Sequence, residues 1–180
     1  WPLEAHTRAK HEILRRYLEL SDSSTSPTTA GLANVTHLVW PESAFPFVLG
    51  REPQALNMIA GALGRRTILL TGAIRVEGER SNARAFNSLQ AVDGEGRILD
   101  SADKTHLVPF GEYLPFGDLL RRLGLRQFIA LPGGFEAGSI RRTMTVPGLP
   151  TFQPLICYEA IFPGEVVSHG AEARCPEFML

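Results

Sequence analysis

Hydrophobic and polar positions follow two periods along the chain. In Trp1–Leu20, Ile13, Leu14, Tyr17 and Leu18 recur at helical spacing with Arg15, Arg16 and Glu19 between them. This predicts a helix with Pro2 in its first turn. Residues 21–31 are polar and predict a loop. Val35–Trp40 predicts a short strand stopped by Pro41. Arg51–Gly64 predicts a second helix with Leu56, Ile59, Ala60 and Leu63 turned inward. Thr67–Val76 is apolar without alternation, the pattern of a strand buried on both faces. Arg84–Val92 and Arg97–Ser101 predict two strands joined at the hairpin signal Asp93-Gly94-Glu95-Gly96.

The pattern then changes. Ala102–Phe116 mixes charge, aromatics, glycine and proline with no period, as a shaped loop does. Beyond it the sequence predicts a short helix at Asp118–Leu123 and a loop over 124–139. Strands at Ile140–Val146 and Thr151–Cys157 flank the turn Pro147–Pro150, and a helix follows at Ala160–His169. Helices among strands predict an α/β layered domain, and the hairpin makes its sheet mixed. A helix stands first where such chains normally open with a strand, and Arg174–Leu180 reads as the first half of another strand. The domain is therefore expected to be clipped at both ends.

Composition narrows the function classes. With 180 residues, 44% apolar and 21% charged, the chain is long enough and apolar enough to build one ordinary core. A net charge of −1 argues against a nucleic-acid partner bound through its phosphates. No run of about 18 apolar residues occurs, nor a signal-peptide hydrophobic region, so any membrane anchor is expected outside this chain. The two cysteines, Cys157 and Cys175, allow one disulfide at most and lack the spacing of a zinc site.

Three reactive side chains fall at corresponding places. Glu42 follows one strand, Lys104 follows a second and Cys157 ends a third, and α/β folds collect function at strand ends. A thiol can act as nucleophile, a carboxylate can take its proton, and an ammonium can offset the oxyanion of a tetrahedral intermediate. Each also has an ordinary reading: Cys157 as core filler, Glu42 as a solvated turn residue, Lys104 as a surface ion pair with Asp103.

The words around the three residues favour the chemical reading. Val39-Trp40-Pro41-Glu42-Ser43, the run from Asp103 to Pro115 (DKTHLVPFGEYLP) and Ile156-Cys157-Tyr158-Glu159 resemble, in order, the three blocks of the nitrilase (carbon–nitrogen hydrolase) superfamily. The middle block is similar to the apolipoprotein N-acyltransferase branch. The resemblance is strongest over residues 35–167, within a single incomplete domain covering 1–180. It implies a nitrilase-like α-β-β-α sandwich and a triad with Glu42 as general base, Lys104 as oxyanion-stabilising cation and Cys157 as nucleophile. Glu112 matches a supporting glutamate, and Tyr158 and Glu159 match positions beside the nucleophile. The Tyr158 N–H is a candidate oxyanion donor. Asn87 matches a position where a strand lies near the site; its other reading is an ordinary turn or edge polar residue. His106 is expected to position rather than to act as base. Phe45, Phe47, Phe110, Tyr113 and Phe116 are expected to pack, a few of them lining an acyl-chain mouth. Cys175 has no counterpart and is expected to be an oxidation-prone thiol.

No cofactor and no metal are implied. The implied acyl donor is a phospholipid, and the acceptor is the N-terminal diacylglyceryl-cysteine of an apolipoprotein. The implied place is the bacterial inner membrane, with the catalytic domain on the periplasmic side and membrane segments absent from this chain. A soluble amidase or nitrilase using the same triad with water is the alternative activity. A non-catalytic interaction domain with a vestigial triad is the alternative class.

Overall fold

The computed structural model describes residues 3–23, 31–79, 82–115, 134–162 and 176–180. The elements are α1 (Leu3–Asp22), β1 (His37–Trp40), α2 (Pro53–Leu63), β2 (Ile68–Glu77), β3 (Arg84–Val92), β4 (Ile98–Asp103), β5 (Phe152–Gln153) and β6 (Phe178–Met179). Short 3-10 helices lie at Gly31–Asn34, Leu49–Arg51 and Cys157–Ile161. One sheet has the order β1-β2-β3-β4, and β5 pairs with β6. β1 runs parallel to β2, with Trp40 beside Thr71. The β3–β4 connection closes at Asp93, whose N–H donates to Arg97 O at 3.0 Å, and Gly96 takes φ +78. This is the α/β fold with a mixed sheet that the pattern predicts.

The chain divides into two compact units. The first comprises 1–74, 89–101 and 146–148, and the second 75–88, 102–145 and 149–180. The first is held by apolar packing. Leu14 from α1, Trp40 from β1, Ile59 and Leu63 from α2, Leu69 and Ala73 from β2, and the connecting Phe45, Phe47 and Leu49 form one buried cluster. Trp40 meets Tyr17 (5.0 Å) and Phe45 (5.6 Å) with tilted rings, and its indole N–H donates to Ser21 Oγ at 2.9 Å. As expected, β2 is buried on both faces as far as Ala73.

The second unit adds a set of buried polar and charged groups: Asn87, Ser88, Lys104, Glu112, Gln153 and Glu159. Arg75 grips Asp103 with two hydrogen bonds, of 2.8 and 2.7 Å, while Ser88 Oγ–H donates to the same carboxylate at 2.6 Å. Burial would raise the Asp103 pKa. The bonds from Arg75 and Ser88 outweigh it and hold the group below the usual carboxylate range.

Several expectations change. Ile13 lies at the exposed margin of α1, whereas Leu14 is fully buried, and Ala55 rather than Ala60 is the buried alanine of α2. The strands expected at 140–146 and 151–157 shrink to β5 and one antiparallel bridge, Met144 with Phe152. Pro147, Pro150 and Pro154 supply no N–H for a longer ladder. Where a helix was expected from Ala160, a 3-10 turn already begins at Cys157. Phe45 and Phe47 pack as expected, but Phe110 is 55% exposed with φ +63. The helix at 118–123, most of the helix to His169, Phe116 and Cys175 lie outside the described residues.

Candidate active site

Glu42 belongs to the first unit. It stands two residues past β1 in a tight turn and is half-buried, with Ser43 at φ +54. The buried Trp40 fixes the end of the strand that delivers it. Gly72 of β2 makes the turn possible: a Cβ there would lie 2.5 Å from Glu42 Cα and 2.9 Å from Pro41 O. Only a residue without a side chain lets the backbone pass so close.

The second unit carries the other predicted site residues. Lys104 directly follows β4 and is 1% exposed. Its N–H donates to Asn87 O at 2.8 Å and its carbonyl accepts from Gly138 N–H at 2.8 Å. Its ammonium meets Glu112 Oε2 at 3.0 Å, and this pair is buried rather than on the surface. Glu112 also organises the loop around itself. Val108 N–H donates to Oε2 at 2.8 Å and Asn87 Nδ2–H to Oε1 at 2.7 Å. Asn87 is therefore a buried member of the lysine's support. The loop after β4 has no period because it wraps a buried carboxylate.

Cys157 is exposed and takes φ +52, a left-handed conformation rare for a side chain with a Cβ. Ile156 before it is extended (φ −97, ψ 106), and the 3-10 helix opens at the cysteine itself. A backbone reversal at that point presents the thiol instead of burying it, which excludes the core-filler reading. Such strain is of the order of 1–3 kcal/mol and persists only where surrounding contacts impose it. Glu159 supplies them. It is 2% exposed, and its Oε2 accepts from Ile156 N–H at 2.9 Å. Its Oε1 accepts from Thr105 N–H (2.9 Å), Thr105 Oγ1–H (2.8 Å), His106 N–H (3.1 Å) and Arg141 Nη2–H (3.1 Å). Burial alone would raise this carboxyl's pKa. The hydrogen bonds from Ile156, Thr105 and His106 outweigh it and hold the group low.

One carboxylate thus ties the cysteine turn to the two residues that follow Lys104. The His106 ring stacks on Phe162 at 3.9 Å, and Tyr158 meets Phe162 edge-on at 5.0 Å. Thr105, His106, Leu107, Tyr113, Phe135 and Ala137 line an open cavity of about 440 Å³. An exposed thiol on a strained turn, with a buried cation in the segment tied to it, suits attack on a carbonyl carbon and stabilisation of the resulting oxyanion. Among the described residues, no group of three or more His, Cys, Asp or Glu gathers as metal ligands would. No described helix is long and apolar enough to cross a membrane.

Sequence reasoning missed Gly72, Gly138, Thr105 and Arg141. Gly72 sat inside an apolar strand, where an isolated glycine is itself a signal of close backbone approach. The other three work through contacts that have no period.

Fold and site together define a protein of the carbon–nitrogen hydrolase class. A family model described as carbon-nitrogen hydrolase matches residues 11–174, and the chain belongs to that family. It is 48% identical over 161 residues to the apolipoprotein N-acyltransferase of Bradyrhizobium diazoefficiens and, to the same extent, to that of Rhodopseudomonas palustris. In each case the match covers 88% of this chain and 30% of the relative. The chain therefore spans about a third of the length of these curated relatives. Among solved structures it is similar in fold to an amidase of the nitrilase superfamily from Nesterenkonia, at 15% identity and TM-score 0.54. That match covers 87% of this chain and 53% of the amidase.

Proposed function

We propose that the chain carries the catalytic machinery of an apolipoprotein N-acyltransferase, with Glu42, Lys104 and Cys157 as its reacting groups. The observation that supports this most is the pairing of an exposed, strained Cys157 with a buried Lys104–Glu112 pair, joined through Glu159. The apolipoprotein N-acyltransferase names of the relatives point to the substrates.

In the first half-reaction the Cys157 thiol gives its proton to Glu42 and its sulfur attacks the ester carbonyl of a phospholipid. Lys104 and the Tyr158 N–H face the tetrahedral oxyanion, where one well-placed donor contributes about 3–4 kcal/mol. The C–O bond breaks, the proton returns to the leaving oxygen, and lysophospholipid departs. In the second half-reaction the α-amine of a diacylglyceryl-cysteine attacks the thioester carbonyl. The C–N bond forms, the C–S bond breaks, and Glu42 carries the amine proton back to sulfur. Glu112 and Asn87 hold Lys104 in place, and His106, in the wall of the open cavity with its ring 5.9 Å from that of Tyr158, has a positioning role. The reaction belongs at the periplasmic face of the bacterial inner membrane, where phospholipid and lipoprotein meet.

The full-length protein, incubated in mixed micelles with labelled phospholipid, should yield acyl-Cys157 by mass spectrometry. It should pass the label to a diacylglyceryl-cysteine peptide, and Cys157→Ala should show neither. No adduct in the wild type, or an equal adduct in Cys157→Ala, would sink the proposal. An adduct that goes to water while the amine is ignored would move the assignment to a hydrolase.

A further inference from the structure

We propose that Arg141 is a positioning residue that acts through Glu159 to set the geometry of Cys157 and of the loop after Lys104. The proposal rests on Cys157 being the nucleophile. Arg141 sits in the irregular segment 134–143, where an arginine would ordinarily reach into water. Its side chain is instead only 12% exposed, with Nη2 on Glu159 Oε1 at 3.1 Å, and the Glu159 side chain is 3% exposed. The segment is anchored on both sides of the arginine. Gly138 N–H donates to Lys104 O at 2.8 Å, and Gln153 of β5 donates to Arg142 O at 3.2 Å.

Glu159 needs to stay ionised to do its work. Every group that approaches either oxygen is a donor: the N–H groups of Ile156, Thr105 and His106, the Thr105 hydroxyl, and Arg141. A protonated carboxyl would aim a hydrogen at one of them and break the set. Arg141 is the charged donor of the group, and it matches the carboxylate charge where water cannot. If Glu159 loosens, Ile156 is released, and the left-handed Cys157 next to it relaxes toward ordinary backbone. Thr105 and His106 are released in the same event, so nucleophile and cation lose register together.

The test follows the rate of Cys157 alkylation by iodoacetamide against pH in the full-length protein, with phospholipid turnover measured in parallel and folding checked by circular dichroism and Tm. Arg141→Gln should slow alkylation about tenfold and displace its pH profile. It should lower kcat by a similar factor while KM changes less than about twofold. Arg141→Lys should recover to within about threefold, because the charge returns. In Glu159→Gln, adding Arg141→Gln should have no further effect, since the arginine acts through the carboxylate. Wild-type reactivity in Arg141→Gln, no recovery in Arg141→Lys, or additive losses in the double variant would each overturn the proposal. Should Arg141→Gln fail to fold, Arg141→Lys completes the same cycle: slower by about twofold with Glu159 present, unchanged with Glu159→Gln. Iodoacetamide needs no lipid, so the test still reads if the wild type forms no acyl-Cys157 and the acyltransferase assignment alone has failed.

Discussion

The two units of this chain hold the proposed reacting side chains in opposite ways. In the first, Glu42 follows a strand fixed by Trp40, Phe45, Leu49 and Leu69, an apolar cluster with its single indole N–H satisfied. In the second, Lys104 and Cys157 are held by buried carboxylates, Glu112 and Glu159, each saturated with donors. Apolar packing is non-directional and tolerates volume-conserving change. A buried carboxylate ringed by donors specifies direction, and removing one member strands the others. In the proposed reaction the base needs a firm platform; the cation and the thiol need aim.

The sharpest break of this contrast is Lys104→Met. Glu112 would keep Asn87 and Val108 as donors but lose its cation inside the protein. Breaking a buried pair in this way costs about 3–5 kcal/mol. Acyl transfer should fall by at least about a hundredfold as the oxyanion loses its charge partner. The measurements are urea unfolding and label transfer. Leu63→Ala, in the apolar cluster, should cost a comparable amount, about 2–5 kcal/mol, by leaving a cavity, yet transfer per folded molecule should stay within about twofold of wild type. If Leu63→Ala lost activity as steeply as Lys104→Met, the division of labour between the two units would be wrong.

A smaller effect is expected from Gly72→Ala. The new Cβ would press on Glu42 Cα, Pro41 O and Ser43 N, at 2.5, 2.9 and 3.0 Å. All three are backbone and cannot turn aside, so overpacking of about 1–3 kcal/mol is expected. Moving the base even slightly should lower kcat, by up to about a hundredfold, with KM little changed. Single-turnover acylation of Cys157 would read this directly. Unaltered acylation would mean that the turn at Glu42 has no part in the reaction.

The same contrast explains what was legible in the sequence. β3 runs from Arg84 to Val92 as expected, and β2 is the doubly buried strand its apolar run implied, because burial leaves a period in the residues themselves. The site segments leave none. Glu112 is eight residues from Lys104 and 25 from Asn87, distances that follow a loop's path and no repeat. Cys157, Glu42 and Lys104 stood out as candidates from the words around them. Arg141 and Gly72 did not, because one works through a contact 18 residues away and the other through the side chain it lacks. The strands expected at 140–146 and 151–157 misled for a related reason: Met144, Val146, Phe152 and Ile156 pack, but three prolines withhold the N–H groups a ladder requires.

Acid should separate the two designs at the smallest cost to the native protein. Asp103 and Glu159 both titrate below the usual carboxylate range, because hydrogen-bond donors overcome the effect of burial. In the unfolded chain these carboxyls take up protons near their ordinary pKa of about 4, and in the folded protein only at lower pH. Their contribution to stability is therefore complete above the ordinary value and is lost as the pH falls through the depressed folded values, where the unfolded state binds more protons. In the first unit, burial would likewise raise the Asp93 pKa, and the N–H groups of Arg97 and Glu95 with the Arg97 side chain together outweigh it and hold the group low. That guanidinium is 68% exposed, so water screens the pair. Hydrogen exchange, corrected for the intrinsic pH dependence, should then show the amides of Thr105, His106 and Ile156 losing protection at a higher pH than those of Leu69 to Ala73. Glu159→Gln should flatten the acid limb of Tm more than Asp93→Asn does. Loss of protection in both segments at one pH would mean that acid unfolds the chain as a single cooperative body, and that the buried carboxylates of the site are no more sensitive than the rest.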